Sequence, residues 1–173
     1  MLKKVFYSKK SGLEVSMGRT VKNGYASGRI FLRAFPLEKG GRDRQIVLKL
    51  QPEEAFGLSL YIKAVRETKE SATNAIVHKF TDSNGGEVTT TLSVEHWQRE
   101  KDGKQRSGYA IVISRGKDNR ISVPMGNLDF LFLAHLLDRW SAEACFEEKV
   151  EEEAVEEVPV AAGEPIDDDD FPF

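Results

Sequence analysis

The apolar residues of this chain pass through one series of spacings and then pass through it again. Residues 4–8, 13–20, 28–36 and 45–50 read as strands. The clearest is 28–36, where Ile30, Leu32 and Ala34 alternate with Arg29, Phe31, Arg33 and Phe35, so that the two sets face opposite sides of a sheet. A helix follows from Pro52, a residue suited to the first helical position, with Glu53 and Glu54 at its positive end. It extends to about Glu70, with Ala55, Phe56, Ile62 and Val65 near one face; Gly57 weakens it and permits close packing. The order then restarts. Residues 75–81, 87–99, 108–115 and 120–125 read as strands, Asn127 is a good N-cap, and a helix to about Phe146 carries Leu128, Phe130, Leu131, Phe132, Leu133, Leu136, Leu137 and Trp140. The last strand and helix of each series superpose position by position: Ile46 on Ile121, Leu48 on Val123, Leu50 on Met125, Leu58 on Leu133, Ile62 on Leu137 and Val65 on Trp140. The expectation is an α+β protein built from a duplicated ββββα-ββββα unit. Its repeats are about 1–73 and 74–146, and helices pack on antiparallel sheets. The second helix is apolar nearly all round, more than one sheet can cover, which predicts a homo-oligomer built partly through it.

Charge divides the chain at the same boundary. From Glu147 onward there are twelve acids and one base, net −11, whereas residues 1–146 hold 24 bases and 16 acids, net +8. A basic body suggests a surface for a polyanion, and an acidic tail suggests a competitor for that surface. Apolar density also falls away at Glu147, so 147–173 is expected to be a disordered acidic tail.

Other function classes find little support. The single cysteine, Cys145, allows no intramolecular disulfide, and at the end of an apolar helix it reads as a packed thiol. His78, His96 and His135 have no metal-ligand spacing, and no phosphate-loop, nucleophile-elbow or dinucleotide fingerprint is present. No enzyme, cofactor or metal is expected. No leader or membrane span is visible, which points to a cytoplasmic protein.

Two resemblances sharpen the reading. The chain closes on Asp167, Asp168, Asp169, Asp170, Phe171, Pro172 and Phe173, an acidic run ending in an apolar hook. This resembles the C-terminal tip of bacterial single-stranded-DNA-binding proteins. The resemblance implies that these seven residues dock replication, repair or recombination enzymes, and that the chain is of bacterial, phage or plasmid origin. That family's body is a five-stranded barrel with one helix, which two long helices fit poorly. The duplicated four-strand-plus-helix body instead resembles the Whirly proteins and the related homodimeric transcriptional coactivators that bind single strands. It implies a domain over 1–146 that coats single-stranded DNA, with RNA as a further ligand. A coactivator-like factor on melted DNA and an adaptor without nucleic-acid binding remain as alternatives.

The strand chemistry fits that implication. Binding single strands without reading sequence needs cations for phosphates and aromatic faces for bases. Arg29, Phe31, Arg33 and Phe35 supply both on the face opposite the apolar one; the competing arrangement is a sheet buried on both faces. Trp97 and Arg99 form a second pair on the long strand. Lys49 and Lys79 complete the expected DNA-binding set, with Arg106 and Lys117 as further cations.

Overall fold

A computed structural model describes residues 2–22, 25–38, 41–81, 83–146 and 148–149. The strict alternation of the first half becomes an antiparallel meander: β1 (Leu2–Tyr7), β2 (Ser11–Lys22), β3 (Tyr25–Pro36) and β4 (Ile46–Leu50), with a 3-10 turn at Gly41–Arg44 before β4. Helix α1 (Pro52–Thr68) follows. The second half repeats the order with β5 (Ala72–Thr81), β6 (Glu87–Lys101), β7 (Lys104–Arg115), β8 (Asn119–Met125) and helix α2 (Asn127–Cys145). The fold is α+β, with two antiparallel sheets and two helices in the expected order.

One core joins all of these elements. Ile30, Leu32 and Ala34 are fully buried, as are Leu92, Ile111 and Ile113 of the second sheet and Leu58, Ile62, Leu133 and Leu137 of the helices. Each of the six superposed pairs is buried in both halves. The two helices pack on one another, and Lys63 Nζ of α1 meets Asp138 Oδ2 of α2 at 3.2 Å. The phenol ring of Tyr109 stacks on Phe130 with centroids 4.4 Å apart, linking β7 to α2.

Local chemistry sets the helix ends. The Gln51 N–H donates to Glu54 Oε2 at 2.9 Å, which satisfies one of the free amides at the start of α1. Glu54 Oε1 meets His78 Nε2 on β5 at 2.7 Å. At the other end, Lys69 adopts the left-handed conformation (φ 62°) and donates its N–H to Val65 at 2.9 Å. Glycine usually takes that position.

Several expectations need correction. Phe56 is 46% exposed, on the side of α1 away from the core. Nothing lies within 4 Å of where a Cβ on Gly57 would stand, so that glycine serves no close approach. Helix α2 starts at Asn127 with Gly126 as its cap, because Asn127 Oδ1 instead accepts from Arg66 Nε of α1 at 3.1 Å. Cys145 is exposed rather than packed, since α2 turns its Ala144 face inward. The sheet pairing also runs past 146. Glu148–Lys149 forms a two-residue strand, β9, opposite Ala26 and Tyr25 on β3. The expected disorder of 147–173 otherwise lies outside the described residues.

Candidate functional site

Cross-strand register decides what the outer face of the first sheet presents. Side chains directly opposite one another on neighbouring antiparallel strands share a face. One row therefore reads Lys3, Ser16, Phe31, Lys49; the next reads Val5, Glu14, Arg33, Val47; the third reads Tyr7, Gly12, Phe35. This face lies opposite the core. Phe31 and Phe35 are half-buried on it, not in a second core layer. The Phe35 ring covers Gly12, where a Cβ would lie 2.5 Å from Cζ, and meets the Tyr7 ring edge-on at 6.4 Å.

The cations of this face differ in how free they are. Arg33 stands over Phe35 at 5.7 Å, but its Nη2 donates to Glu14 Oε2 at 2.7 Å, and Lys3 Nζ approaches the same oxygen at 3.9 Å. Arg29 donates to its neighbour's carbonyl, Gly28 O, at 2.8 Å. Lys49 is exposed and carries no ion pair among the described residues.

Trp97 and Arg99 occupy a different place, the outer face of the second sheet. Trp97 opposes Gly108 in register, and its indole covers that glycine as Phe35 covers Gly12. Arg99 stands 5.9 Å from the indole, and Trp97 Nε1 donates to Tyr109 O at 3.3 Å. Beside them opens a groove of about 1010 Å³. Its other wall is the turn at residues 8–11, which brings in Lys9 and Lys10. Ser11 Oγ donates to Ser122 O of β8 at 2.7 Å and so pins that turn of the first sheet to the edge of the second. Lys69 enters from the end of α1, its Nζ on the Tyr109 hydroxyl and 4.9 Å from that ring. Lys9, Lys10, Lys69 and Arg99 line the groove, and no carboxylate does among the described residues.

The structure thus divides the predicted set. Arg29, Phe31, Arg33, Phe35 and Lys49 share one face. Trp97 and Arg99 belong to the groove, next to the same turn that follows Tyr7. Lys79 stands apart: it pairs with Glu87 at 3.2 Å, opposite Thr89, eight positions along β6 from Trp97. Lys9, Lys10 and Lys69 were missed. The first two are visible as a lysine pair between strands, but their value depends on which edge of the other sheet the turn reaches. Asp167, Asp168, Asp169, Asp170, Phe171, Pro172 and Phe173 lie outside the described residues.

Among the described residues no three His, Cys, Asp or Glu side chains gather where they could hold a metal ion, and no helix is long and apolar enough to cross a membrane. No known protein family matches the chain, nor does any curated protein or any solved structure.

Proposed function

We propose that this chain is a single-stranded-DNA-binding protein that coats and protects the strand and recruits replication, repair or recombination enzymes through Asp167–Asp170 and the Phe171, Pro172, Phe173 hook. The observation that carries the reading is the groove itself, lined by an indole and four cations and, among the described residues, by no carboxylate. A polyanion with stackable bases uses both features, whereas a neutral ligand leaves the four charges unmatched. The outer face of the first sheet, with Phe31, Phe35 and their flanking cations, continues the same chemistry past the turn at 8–11. The Whirly-like element order is a further support, and a second copy docked through α2 would extend the surface. The protein would act in a cytoplasm, without a cofactor or metal and without chemistry of its own.

The test is a titration of single-stranded DNA, duplex DNA and RNA against salt, read by Trp97 fluorescence in a Trp140→Phe background. Tight, salt-dependent quenching by single-stranded DNA supports the reading. Comparable duplex binding would favour the coactivator-like alternative, and indifference to all three would favour the adaptor.

A further inference from the structure

The hairpin formed by β6 and β7 outruns its own sheet. The first residue of β5, Ala72, pairs with Val94, and the last residue of β8, Met125, pairs with Tyr109. From Trp97↔Gly108 to Lys101↔Lys104 the two strands pair only with each other. This leaves a two-stranded arm about 14 Å long at ~3.4 Å per residue. Its tip is a two-residue turn in which both Asp102 (φ 56°) and Gly103 (φ 69°) have positive φ. That pattern matches the twist of the flanking strands and makes for a stiff hairpin.

The arm is sorted by face. Arg99 opposes Arg106 and Lys101 opposes Lys104, so all four cations stand on the face that Trp97 begins. The other face carries Gln98, Glu100, Gln105 and Ser107. Like charges directly opposite one another destabilise a strand pair. None of the four is in an ion pair among the described residues, although Glu100 and Asp102 are close in sequence. Folding alone would not select two facing like-charge pairs on a protruding ribbon. A polyanionic ligand would, because it removes the repulsion on binding.

We propose that this arm is a phosphate clamp, gripping the phosphodiester backbone of a single strand whose bases reach Trp97 at the arm's root. Along each strand of the arm the cations are two residues apart, about 7 Å, comparable to the reach between successive phosphates of an extended strand. Trp97 favours a nucleic acid over other anionic surfaces, since only bases offer a face to stack on. The proposal rests on the single-strand-binding reading and adds to it the part that holds the backbone.

The experiment compares the full chain with a variant carrying Arg99→Gln, Lys101→Gln, Lys104→Gln and Arg106→Gln. A labelled oligothymidylate is titrated over a salt series, with phosphatidylserine vesicles as a second probe. Each lost phosphate contact reduces the steepness of log K against log salt by about 0.7, so the quadruple variant should lose up to about 2.8 and bind up to roughly six-hundredfold more weakly at 0.1 M salt. Its thermal midpoint should hold or rise. Arg106→Gln and Lys104→Gln singly should each lower the slope by about 0.7, which keeps the test intact if the quadruple variant misfolds. An unchanged slope beside a tightly binding parent overturns the clamp and leaves the functional reading standing. A parent that binds no oligonucleotide overturns that reading itself, and retention on the vesicles alone reassigns the arm to a lipid surface and overturns the clamp.

Discussion

Trp97 lies over Gly108 so closely that a Cβ there would sit 2.6 Å from the indole Cζ2 and 2.9 Å from Cε2. The missing side chain is what lets the indole settle on the neighbouring strand beside the groove. Gly108→Ala must lift or swing the ring. The expected outcome is a folded protein, destabilised by about 1–3 kcal/mol as overpacked sites are. Its single-strand affinity should fall by the roughly 1–3 kcal/mol that one stacked base supplies. Urea unfolding together with the Trp97 titration separates the two effects. Full affinity in a Gly108→Ala protein with a displaced indole would remove Trp97 from the site.

A smaller effect is expected at Gly57, in the middle of α1 with open space where its side chain would stand. Glycine loses more backbone freedom on folding than alanine and forms helix less readily, so Gly57→Ala should stabilise by roughly 0.5–1 kcal/mol. Nucleic-acid affinity should not change. Chemical denaturation checks this, and a loss of stability would mean that something not seen here packs on that side of α1.

These two sites show what sequence can and cannot display. The strands and helices were legible because apolar spacing reports one buried face, and the residues it placed inward on β3 and β4, Ile30, Leu32, Ala34, Ile46, Leu48 and Leu50, are all buried. The face of Phe31 and Phe35 followed from the same alternation. Strand β9 was not legible, since Glu148 and Lys149 carry no apolar signal and their place comes from pairing with β3. Nor was the groove: Lys9, Lys69 and Trp97 lie far apart in sequence and meet only where the turn at 8–11 reaches β8. The placement of Cys145 and Phe56 failed for a related reason. A helix can have more apolar positions than its packed side uses, and spacing alone does not say which are left over.

Those left over predict assembly. Leu128 is 80% exposed and Phe132 44%, both on α2, and Phe132 meets Phe6 of β1 edge-on at 6.3 Å. Leu128 and Phe132, four positions apart, leave an exposed apolar surface on one face of α2, beside the buried Phe6. The expectation is a homo-oligomer that buries this surface. Light scattering at micromolar concentration should give a multiple of the 19.4 kDa chain mass, and Leu128→Ser with Phe132→Ser should shift it toward the monomer without unfolding. A parent that is already monomeric would defeat the idea.

β9 is the last described element before the acidic tail. β9 pairs with the Tyr25 end of β3, whereas the turn beside the groove adjoins the Pro36 end. The eleven steps of strand from Tyr25 to Pro36 span about 37 Å. From Lys149 to Asp167 a fully extended chain spans about 60 Å, long enough to bring the tip to the groove. Tethering should give its carboxylates a roughly millimolar effective concentration at the groove. They should occupy the groove cations weakly and yield to the denser charge of a nucleic acid, releasing the hook for partners. Residues 151–173 carry ten acids and no base. Deleting them while keeping β9 should tighten single-strand binding, most visibly at low salt where screening is weak. Removing Phe173 alone should leave DNA affinity nearly unchanged and abolish partner capture, because it takes away one of the two rings of the apolar hook. DNA titrations of the three proteins, beside pull-downs with purified replication and repair enzymes, decide between these effects. Unchanged DNA affinity in the deletion would dismiss competition, and equal capture with and without Phe173 would dismiss the hook.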